Sequence, residues 1–469
     1  MKIAFLQNEW VDHYGIMCLS NILKNAGHIV DVFIEKAHSN FIKAVTNFNP
    51  DIIGFRTVTY NHQWVLQTAS KLKQRLNLPI IVGGVHATLC PDIIEYPQID
   101  IVCRGEGEYP ILELLNLMQE GLDYSSIANL WVKQNKTIFK NEIRNLEEDL
   151  DNFYPPDRSL YMDKYDFFKK YPWKNIMAGR GCPYSCSYCY NNALKELFYG
   201  KGKYVRWRSP ENIIKEIKLL VNQYNTKILH FSDDIFAMDI PWFFDFLELY
   251  RTCIQIPFIC NARADLMNAK IADELQKSGC YCVFFGIETG NEKLRSKLLN
   301  KKITNQQIIK TAQILHSKNL RFLTNNMFGL PGESFKNTME TINLNIQIKT
   351  DFPMGYIFQP YPGLDLTKSA QEQGYLKDDY EKSKSYFVDN SLHQKDINKI
   401  FNIHKLFYLI VKMPCLISLF KFICKFSPNP LFYFIYLLSF AVRYKNSHGV
   451  SYLDTIYLAY HEWNIFKNK

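Results

Sequence analysis

The 469-residue sequence lacks several features that mark common protein classes. No apolar run approaches the 20 residues of a spanning helix, and the N-terminus has no long apolar core or small-residue cleavage site. No nucleic-acid motif accompanies the net charge of +9, and lysine-rich stretches such as residues 297–302 are short. Twelve irregularly spaced cysteines do not indicate a disulfide framework. We therefore expect a cytoplasmic protein with no nucleic-acid partner, in which such lysine stretches are solvated faces.

The chain is too long for one ordinary domain, so two or three are expected. Its first 140 residues alternate strand and helix patterns. The strand patterns lie at residues 2–6, 29–34, 52–55, 80–82 and 101–103, and the helical patterns at residues 16–26, 41–48, 64–76 and 110–119. This alternation predicts an α/β domain with a doubly wound parallel sheet of the Rossmann or flavodoxin type. No G-x-G-x-x-G follows the first strand, which disfavours a dinucleotide.

Two glycine-rich loops follow the fourth and fifth predicted strands. The first contains Gly83, Gly84 and His86, and the second contains Gly105 and Glu106. Glycines at strand ends allow the backbone to approach a flat ligand closely. These five residues are therefore candidate ligand contacts. Two alternatives remain open, since His86 can be a loop histidine bonded to backbone and Glu106 an acidic residue favoured near a helix N-terminus.

Three cysteines form the most specific motif of the chain. Cys182, Cys186 and Cys189 read C-x-x-x-C-x-x-C, and aromatic residues stand on both sides of the third. Three thiolates can hold three corners of a cubane iron–sulfur cluster and leave the fourth iron open to a substrate or cofactor. A structural zinc site would need a fourth ligand at suitable spacing. The sequence therefore predicts a cluster, and chance proximity of buried cysteines is the weaker alternative.

Strand patterns recur after a proline-rich break at residues 150–157, and a polar segment follows each of them. The patterns lie at residues 228–231, 258–260, 282–285, 322–328 and 355–359. Together with the strand before the cysteines they predict a partial (β/α)6 barrel of the TIM type, with its chemistry at the C-terminal strand ends. The candidate contacts at those ends are Asp233, Asp234, Arg263, Glu288, Gly329 and Gly332. A structural ion pair for Arg263, helix capping for Glu288 and plain turns for the glycines stay open.

These motifs resemble the radical S-adenosylmethionine (SAM) superfamily, in the class with an N-terminal cobalamin-binding domain. The resemblance implies a [4Fe-4S] cluster on the three cysteines, SAM at the barrel strand ends, and cobalamin at the glycine loops. The D-x-H-x-x-G signature is absent, so His86 is not assumed to ligate cobalt. Asp233 and Asp234 cannot be ranked as contacts of the SAM amine.

The resemblance also implies a reaction and partners. SAM cleavage at the reduced cluster gives an adenosyl radical that takes hydrogen from an unactivated carbon, and methylcobalamin then methylates that carbon. The substrate would be a small or lipid-like molecule, and a flavodoxin or ferredoxin would supply electrons. A cobalamin-dependent cyclisation or rearrangement is the alternative within the class. A non-catalytic iron–sulfur redox or sensor protein is the alternative outside it.

The composition shifts toward Phe, Tyr, Leu and Ile after residue 405. Apolar stretches at residues 406–411, 416–426 and 431–442 are broken by lysines and prolines, Pro428 among them. We expect a C-terminal helical region that covers the barrel, and contact with a membrane surface is the alternative for the same helices. The predicted organisation is a cobalamin-binding domain at 1–140, a linker at 141–170, a radical SAM domain at 171–390 and the helical region at 391–469.

Overall fold

The computed structural model describes residues 1–153, 155–378, 380, 391–427 and 430–462. The predicted linker residue Tyr154 and the predicted helix breaker Pro428 lie outside these ranges. In chain order the strands are β1 Lys2–Gln7, β2 Ile29–Ile34, β3 Ile52–Arg56, β4 Ile80–Gly83, β5 Ile101–Cys103, β6 Leu130–Gln134, β7 Thr137–Lys140, β8 Trp173–Ile176, β9 Gly179–Arg180, β10 Arg206–Trp207, β11 Ile228–Phe231, β12 Phe258–Ala262, β13 Cys280–Glu288, β14 Arg321–Phe328 and β15 Phe352–Ile357.

Most of the helices lie between these strands. In chain order they are α1 Tyr14–Asn25, α2 Phe41–Phe48, α3 His62–Leu76, α4 Val85–Leu89, α5 Glu108–Glu120, α6 Ser159–Met162, α7 Asp166–Lys170, α8 Tyr190–Leu197, α9 Pro210–Gln223, α10 Ile240–Cys253, α11 Ala269–Lys277, α12 Asn305–Ser317, α13 Phe335–Gln347, α14 Asp365–Glu372, α15 Ile397–Lys412, α16 Ile417–Ile423, α17 Pro430–His448 and α18 Tyr452–Glu462. Short 3-10 turns at Glu35–Ala37, Pro91–Glu95, Leu150–Phe153 and Pro414–Leu416 and a π-helical turn at Leu294–Leu298 complete the set among the described residues.

The chain divides into two compact units, one of residues 1–170 with 190–216 and one of residues 171–189 with 217–469. Over the described residues 1–153, seven strands form one sheet in the order β2-β1-β3-β4-β5-β6-β7. Strands β1 to β5 are parallel, as predicted, because each is joined to the next by a helix. Strand order reverses between β1 and β3, so ligands of this sheet are expected beyond their C-terminal ends.

The sequence patterns missed the antiparallel hairpin β6–β7 at the edge of this sheet. Its second strand, β7, is exposed at three of its four residues, and the turn between the strands uses Asn135 and Lys136 at positive φ. Alternation was the signal that could have identified it, but four residues are too few to stand out.

The described residues of the second unit include a six-stranded parallel sheet, in the order β15-β14-β13-β12-β11-β8. This confirms the partial barrel, and the predicted strand at 355–359 begins three residues earlier at Phe352. Asp239 precedes α10, and its carboxylate accepts a hydrogen bond from the Trp242 amide. Thr304 precedes α12 and forms a capping box with Gln307. These caps fix where each helix returns toward the sheet.

Two of the C-terminal helices, α15 and α17, pack on this sheet. Helix α15 is buried against β15, α13 and α17. Helix α17 places Phe432, Tyr436 and Ser439 inside and leaves Leu431 and Phe434 exposed. The prediction that these helices cover the barrel therefore agrees with their buried faces. Across the part of the chain that is described, no helix has the length and apolar character needed to cross a membrane.

Candidate active site

The three cysteines lie in one loop directly after β9. Gly181 opens the loop with φ of +90°, a conformation that favours glycine. Cys186 is buried and Cys182 and Cys189 are partly exposed, while the Cys189 amide donates to the Cys186 carbonyl at 3.1 Å. Ser187 anchors the loop through its amide, which donates to the Leu299 carbonyl at 3.1 Å. The loop is thus folded as one short, pinned turn that carries all three thiols.

The donor chemistry of this loop suits an iron–sulfur cluster. Burial raises the pKa of Cys182, and the nearby Asp234 and Cys186 raise it further while Arg263 lowers it. A bound iron would overcome this cost, because metal coordination deprotonates a thiol. No three His, Cys, Asp or Glu side chains of the described residues converge on a single-ion site. A cubane does not require such convergence, because each thiolate binds a different iron.

The two adjacent aspartates after β11 have different environments. Asp233 is 5% exposed, and its carboxylate accepts hydrogen bonds from the Ala178 amide at 2.9 Å and the Gly179 amide at 2.6 Å. Burial raises its pKa to about 7, although these two amides favour the charged form. Asp234 is exposed and lies near enough to Cys182 to affect its pKa. Asp233 therefore holds the backbone before the cysteine loop, and Asp234 faces outward beside it.

Arg263 lies after β12 and also contacts the cysteine loop. Its guanidinium carbon is 3.6 Å from the centre of the Tyr184 ring, which is close cation–π contact. Its Nε lies 2.8 Å from Asp265 Oδ1, so the two side chains form an ion pair, but their geometry is not that of a hydrogen bond. The alternative that Arg263 forms a structural ion pair is therefore correct in part. Arg263 is only 7% exposed, and its guanidinium group lies beside the cysteine loop.

Glu288 ends β13 in a strained backbone conformation. Its φ is +65°, where a non-glycine residue costs about 1–3 kcal/mol. Its Oε1 accepts hydrogen bonds from Tyr188 Oη at 3.0 Å and from Lys301 Nζ at 2.7 Å. A Cβ added at Gly286 would clash with the Glu288 carboxylate and lie 2.7 Å from Lys301 Nζ. Glycine is therefore required at 286 to make room for this ion pair.

The expectation that residues 297–302 form a solvated face is wrong for Lys301. Its side chain is 7% exposed, whereas Lys297 and Lys302 are exposed. The segment turns inward because Arg295 is fully buried and donates to the Ile303 and Thr289 carbonyls. A run of lysines does not distinguish the one buried member, so composition alone could not find it.

The glycines after β14 belong to a turn that a buried acid organises. Gly329 and Gly332 have φ of +73° and +71°. Glu333 accepts hydrogen bonds from the Leu330 amide at 3.0 Å and the Thr338 hydroxyl at 2.9 Å, and burial raises its pKa to about 7. The positive φ of both glycines therefore supports the interpretation that they form a turn. Their approach to a ligand stays a prediction.

In the first unit, the loop after β4 packs closely against neighbouring backbone. Gly84 has φ of +95°, and a Cβ there would lie 2.8 Å from the Thr57 carbonyl, whereas a Cβ at Gly83 would meet nothing closer than 3.7 Å. His86 lies in α4 and stacks on His62, with 4.8 Å between ring centres. Its Nδ1 is 3.2 Å from Thr59 Oγ1, and burial lowers its pKa to about 4. His86 is therefore a neutral, packed side chain at pH 7.

The loop after β5 is filled by neighbouring protein groups. A Cβ at Gly105 would lie 2.5 Å from the Phe198 ring, so this glycine admits an aromatic side chain of its own unit. Glu106 accepts hydrogen bonds from both terminal nitrogens of Arg206, at 2.5 and 3.2 Å. Both residues thus have structural partners, and neither helix capping nor an open glycine cradle describes them.

Unsatisfied polar atoms lie instead at the point where the strand order reverses. Asn8 Oδ1 follows β1 and Thr57 Oγ1 follows β3, and both are buried without a hydrogen-bond partner in the described chain. Buried polar groups are normally paired, so such atoms indicate a missing partner. A bound cobalamin at this edge could supply it, and the residues present therefore fit the group the resemblance implies.

Comparison with known proteins assigns the family. The family model described as "B12 binding domain" matches residues 9–115, and the model described as "Radical SAM superfamily" matches residues 176–344. An uncharacterized methyltransferase of Pyrococcus horikoshii is 30% identical over 73% of this chain and 74% of the relative. The chain belongs to the cobalamin-dependent radical SAM family. This confirms an enzyme that uses a [4Fe-4S] cluster, SAM and cobalamin.

Other family members differ in their named reactions. The anaerobic magnesium-protoporphyrin IX monomethyl ester cyclase of Rubrivivax gelatinosus is 24% identical over 79% of this chain and 68% of the relative. The structure of the cobalamin-dependent SAM radical enzyme OxsB with aqua-cobalamin has a TM-score of 0.70 and 14% identity, covering 99% of this chain and 77% of that one. The first shows that the family includes cyclases beside methyltransferases, and the second shows the same fold.

The sequence patterns did not assign a role to two residues of this radical SAM unit, Tyr188 and Asn261. Tyr188 was noted only as an aromatic neighbour of the cysteines, although its hydroxyl reaches Glu288. Asn261 lies in the polar segment after the strand pattern at 258–260, and its side-chain amide donates to the Asp233 carbonyl at 2.9 Å. Strand-end position could have suggested Asn261. No local pattern relates Tyr188 to a residue 100 positions later.

Proposed function

We propose that this cobalamin-dependent radical SAM enzyme transfers a methyl group to an unactivated carbon of a small or lipid-like molecule. One observation carries the proposal. Three thiols lie in a pinned loop at the C-terminal end of the first barrel strand, with Asp234 and Arg263 close enough to affect Cys182. The methyltransferase of Pyrococcus horikoshii, the relative with 30% identity, supports methyl transfer over the other outcomes.

In this proposal each predicted residue of the second unit has a definite role. Cys182, Cys186 and Cys189 hold the cluster. The exposed Asp234 receives the SAM ammonium, because the carboxylate of Asp233 is already occupied by two backbone amides. The remaining contacts follow the strand ends, with the Arg263 fork for the SAM carboxylate, Glu288 for the ribose hydroxyls, and Gly329 and Gly332 for the base.

The first unit holds the cobalamin. Gly84 forms the close approach, with Gly83 before it at the end of β4, and Thr57 and Asn8 donate or accept at the strand-order reversal. We retain His86, Gly105 and Glu106 as neighbours of the ligand rather than as cobalt ligands, since the His86 ring is stacked and Glu106 is paired with Arg206.

When bound, the three cofactors supply an electron, a hydrogen-abstracting radical and a transferable methyl group. The chain supplies placement. Asp233 fixes the backbone at Ala178 and Gly179 and therefore the start of the cysteine loop. Tyr188 and Lys301 fix the Glu288 carboxylate in one position, so no reorganisation is needed when SAM binds. A flavodoxin or ferredoxin is the expected electron donor.

The decisive experiment measures both co-products of anaerobically reconstituted enzyme. We expect 5′-deoxyadenosine together with S-adenosylhomocysteine, because methyl transfer consumes a second SAM. 5′-Deoxyadenosine without S-adenosylhomocysteine, in the presence of a converted substrate, would favour cyclisation or rearrangement. The named cyclase of Rubrivivax gelatinosus is the specific reason to keep that second candidate.

The outer face of the C-terminal helices supports a second proposal, peripheral membrane contact. Large apolar side chains recur on one side of α17 and α18 and are between 36% and 81% exposed: Leu431, Phe434, Leu438, Val442, Leu453, Ile456 and Tyr460. Exposed Lys421 and Lys425 precede α17. An apolar stripe with nearby basic residues suits an anionic lipid surface, with about 1 kcal/mol per basic residue.

Liposome co-sedimentation tests this contact without removing the buried helix face. A Leu431→Ser/Phe434→Ser/Leu438→Ser variant keeps Tyr436 and its inner neighbours, and Tyr199→Ser, at an 89% exposed residue of the other unit, is the control. We expect wild type and Tyr199→Ser to bind vesicles containing phosphatidylglycerol at low salt and the triple variant to lose binding. Equal sedimentation of all three proteins would reject the contact.

A further inference from the structure

The barrel of the second unit contains a cavity of about 360 Å³. Strands β11 to β15 line it from their inner faces, and the C-terminal half of α17 supplies the rest. This volume falls at the small end of ordinary ligand pockets. The cavity is therefore large enough for a small organic molecule.

Arg443 of α17 presents a buried guanidinium to this cavity. The residue is 4% exposed, and its Nη1 donates to the Pro353 carbonyl at 3.3 Å. Its guanidinium carbon lies 5.0 Å from the centre of the Phe440 ring, and Tyr436 lies close enough to raise its pKa, whereas its Nη2 is buried without a hydrogen-bond partner. A buried charge normally needs a paired counter-charge, because desolvation costs several kcal/mol. Among the described residues, no carboxylate is found beside this cation.

Two further polar side chains line the cavity, those of His230 and Asn325. His230 Nε2 is buried without a hydrogen-bond partner, its Nδ1 lies 3.3 Å from Asn175 Oδ1, and Asn261 lies close enough to raise its pKa. Asn325 is partly exposed on the cavity wall. Buried imidazole nitrogens in native proteins are almost always paired, so His230 Nε2 is suited to bind a polar atom of a ligand.

Electrostatically the cavity carries one net positive charge at neutral pH. Burial lowers the pKa of His230 to about 4 and that of His448 to about 3, so both imidazoles are neutral. Arg443 keeps its proton at any physiological pH, although burial lowers its pKa. In the described lining it is the one residue with a formal charge. The remaining wall is largely apolar and aromatic, with Phe284 on β13 and Phe440 on α17.

The cavity also adjoins the predicted SAM end of the barrel. Asn261 lines it, and the amide of Asn261 donates to the carbonyl of Asp233, which precedes Asp234. Arg263 follows two residues later on the same strand side. A molecule in the cavity would therefore lie next to the strand ends at which SAM is proposed to bind.

We propose that this cavity is the substrate pocket and that the substrate is a small molecule with an apolar or aromatic body and one carboxylate or phosphate-type group bound by Arg443. The word "substrate" rests on the proposed function, whereas the anion site does not depend on it. A planar guanidinium binds such oxyanions with two parallel hydrogen bonds. His230 and Asn325 would bind a second polar atom of the same molecule.

Calorimetric titration of the full chain with 3-phenylpropionate, phenylphosphonate and the neutral 3-phenylpropionamide tests the site directly. We expect at least one anion to bind and raise the melting temperature, and the amide to do neither. Arg443→Met keeps the volume and removes the charge, and it should weaken anion binding by about thirtyfold or more. Its own melting temperature should rise, because it removes a buried cation.

Lys445→Met is the matched control, since Lys445 lies on the same helix but contacts the Tyr452 ring. It should bind the anions as wild type does. If Arg443→Met does not fold, Arg443→Lys, which keeps the charge and loses the fork, should weaken binding to a smaller degree. Absence of binding by both anions, or equal binding by wild type and the Arg443 variants, would overturn the inference. Arg443-dependent binding without S-adenosylhomocysteine formation would instead reject the proposed function and leave the pocket.

Discussion

The Tyr188 hydroxyl donates a 3.0 Å hydrogen bond to Glu288 Oε1, which links the cysteine loop to the C-terminal end of β13. Glu288 has a positive φ, and its Oε1 also accepts a hydrogen bond from Lys301 Nζ. Burial raises the pKa of Tyr188 well above its ordinary value, and the Glu288 carboxylate raises it further, so the hydroxyl remains a donor. The loop and the carboxylate are thus positioned by the same contact.

Tyr188→Phe is expected to retain the cluster and weaken SAM binding. The change removes one hydrogen bond to a charged group, worth about 1.5–3 kcal/mol, or roughly a tenfold to hundredfold loss of affinity. Tyr281→Phe is the control, because it removes a 2.7 Å hydrogen bond to the Asn446 carbonyl at the other end of β13. Iron content and the SAM concentration for half-maximal 5′-deoxyadenosine formation should be measured. Equal SAM dependence of the two variants would contradict a positioning role for Tyr188.

Each of the three loop cysteines should be essential for the cluster. Cys186→Ala removes one of three thiolates, so anaerobically purified protein should fall from about four irons per chain and lose SAM cleavage. Cys415→Ala is the control, since Cys415 is exposed on the C-terminal region, and Cys280 and Cys282 in β13 should also be replaceable. Full cluster absorbance in Cys186→Ala would contradict the assignment.

How far the sequence predicted this molecule depends on the range of each interaction. Strands β2, β5 and β11 were placed residue for residue, because their apolar runs are bounded by turn residues. Asp233 could not be ranked against Asp234, since the choice depends on amides 55 residues earlier. Arg443 was read only as part of a tail, because its burial arises from the packing of α17 on the barrel and leaves no local pattern.

Gly84 and Gly83 make a matched pair for testing the first unit. A Cβ at Gly84 would lie 2.8 Å from the Thr57 carbonyl and force a strained φ, whereas a Cβ at Gly83 has ordinary contacts. We expect Gly84→Ala to abolish cobalamin retention and Gly83→Ala to retain it, as measured by corrinoid absorbance after reconstitution. SAM cleavage should survive in both. His86→Ala should leave the bound cobalamin spectrum unchanged, and a clear spectral shift would make His86 a cobalt ligand.

The last prediction concerns a buried charge cluster in the first unit. Glu216 is 1% exposed and its carboxylate contacts Arg158 Nη2 at 2.5 Å, Arg208 Nη1 at 2.6 Å and the Tyr14 hydroxyl at 2.6 Å. Burial alone would raise the pKa of Glu216, but Arg208 and Arg158 outweigh it and the pKa is lowered. Glu216→Gln leaves two buried guanidinium groups without their shared counter-charge. It should lower the free energy of unfolding at pH 7 by about 3–5 kcal/mol.

The same pKa shift fixes the pH dependence of this effect. A carboxyl group with a lowered folded pKa stabilises the fold above its unfolded pKa of about 4.3, and this contribution is lost as the pH falls through the folded value. The difference between wild type and Glu216→Gln in urea-induced unfolding should therefore narrow below about pH 4. Glu113→Gln is the control, since the 2.7 Å contact with Arg144 is largely exposed and should change stability by about 1 kcal/mol or less. A Glu216→Gln penalty that stayed constant from pH 7 to acid would show that the cluster acts through packing rather than charge.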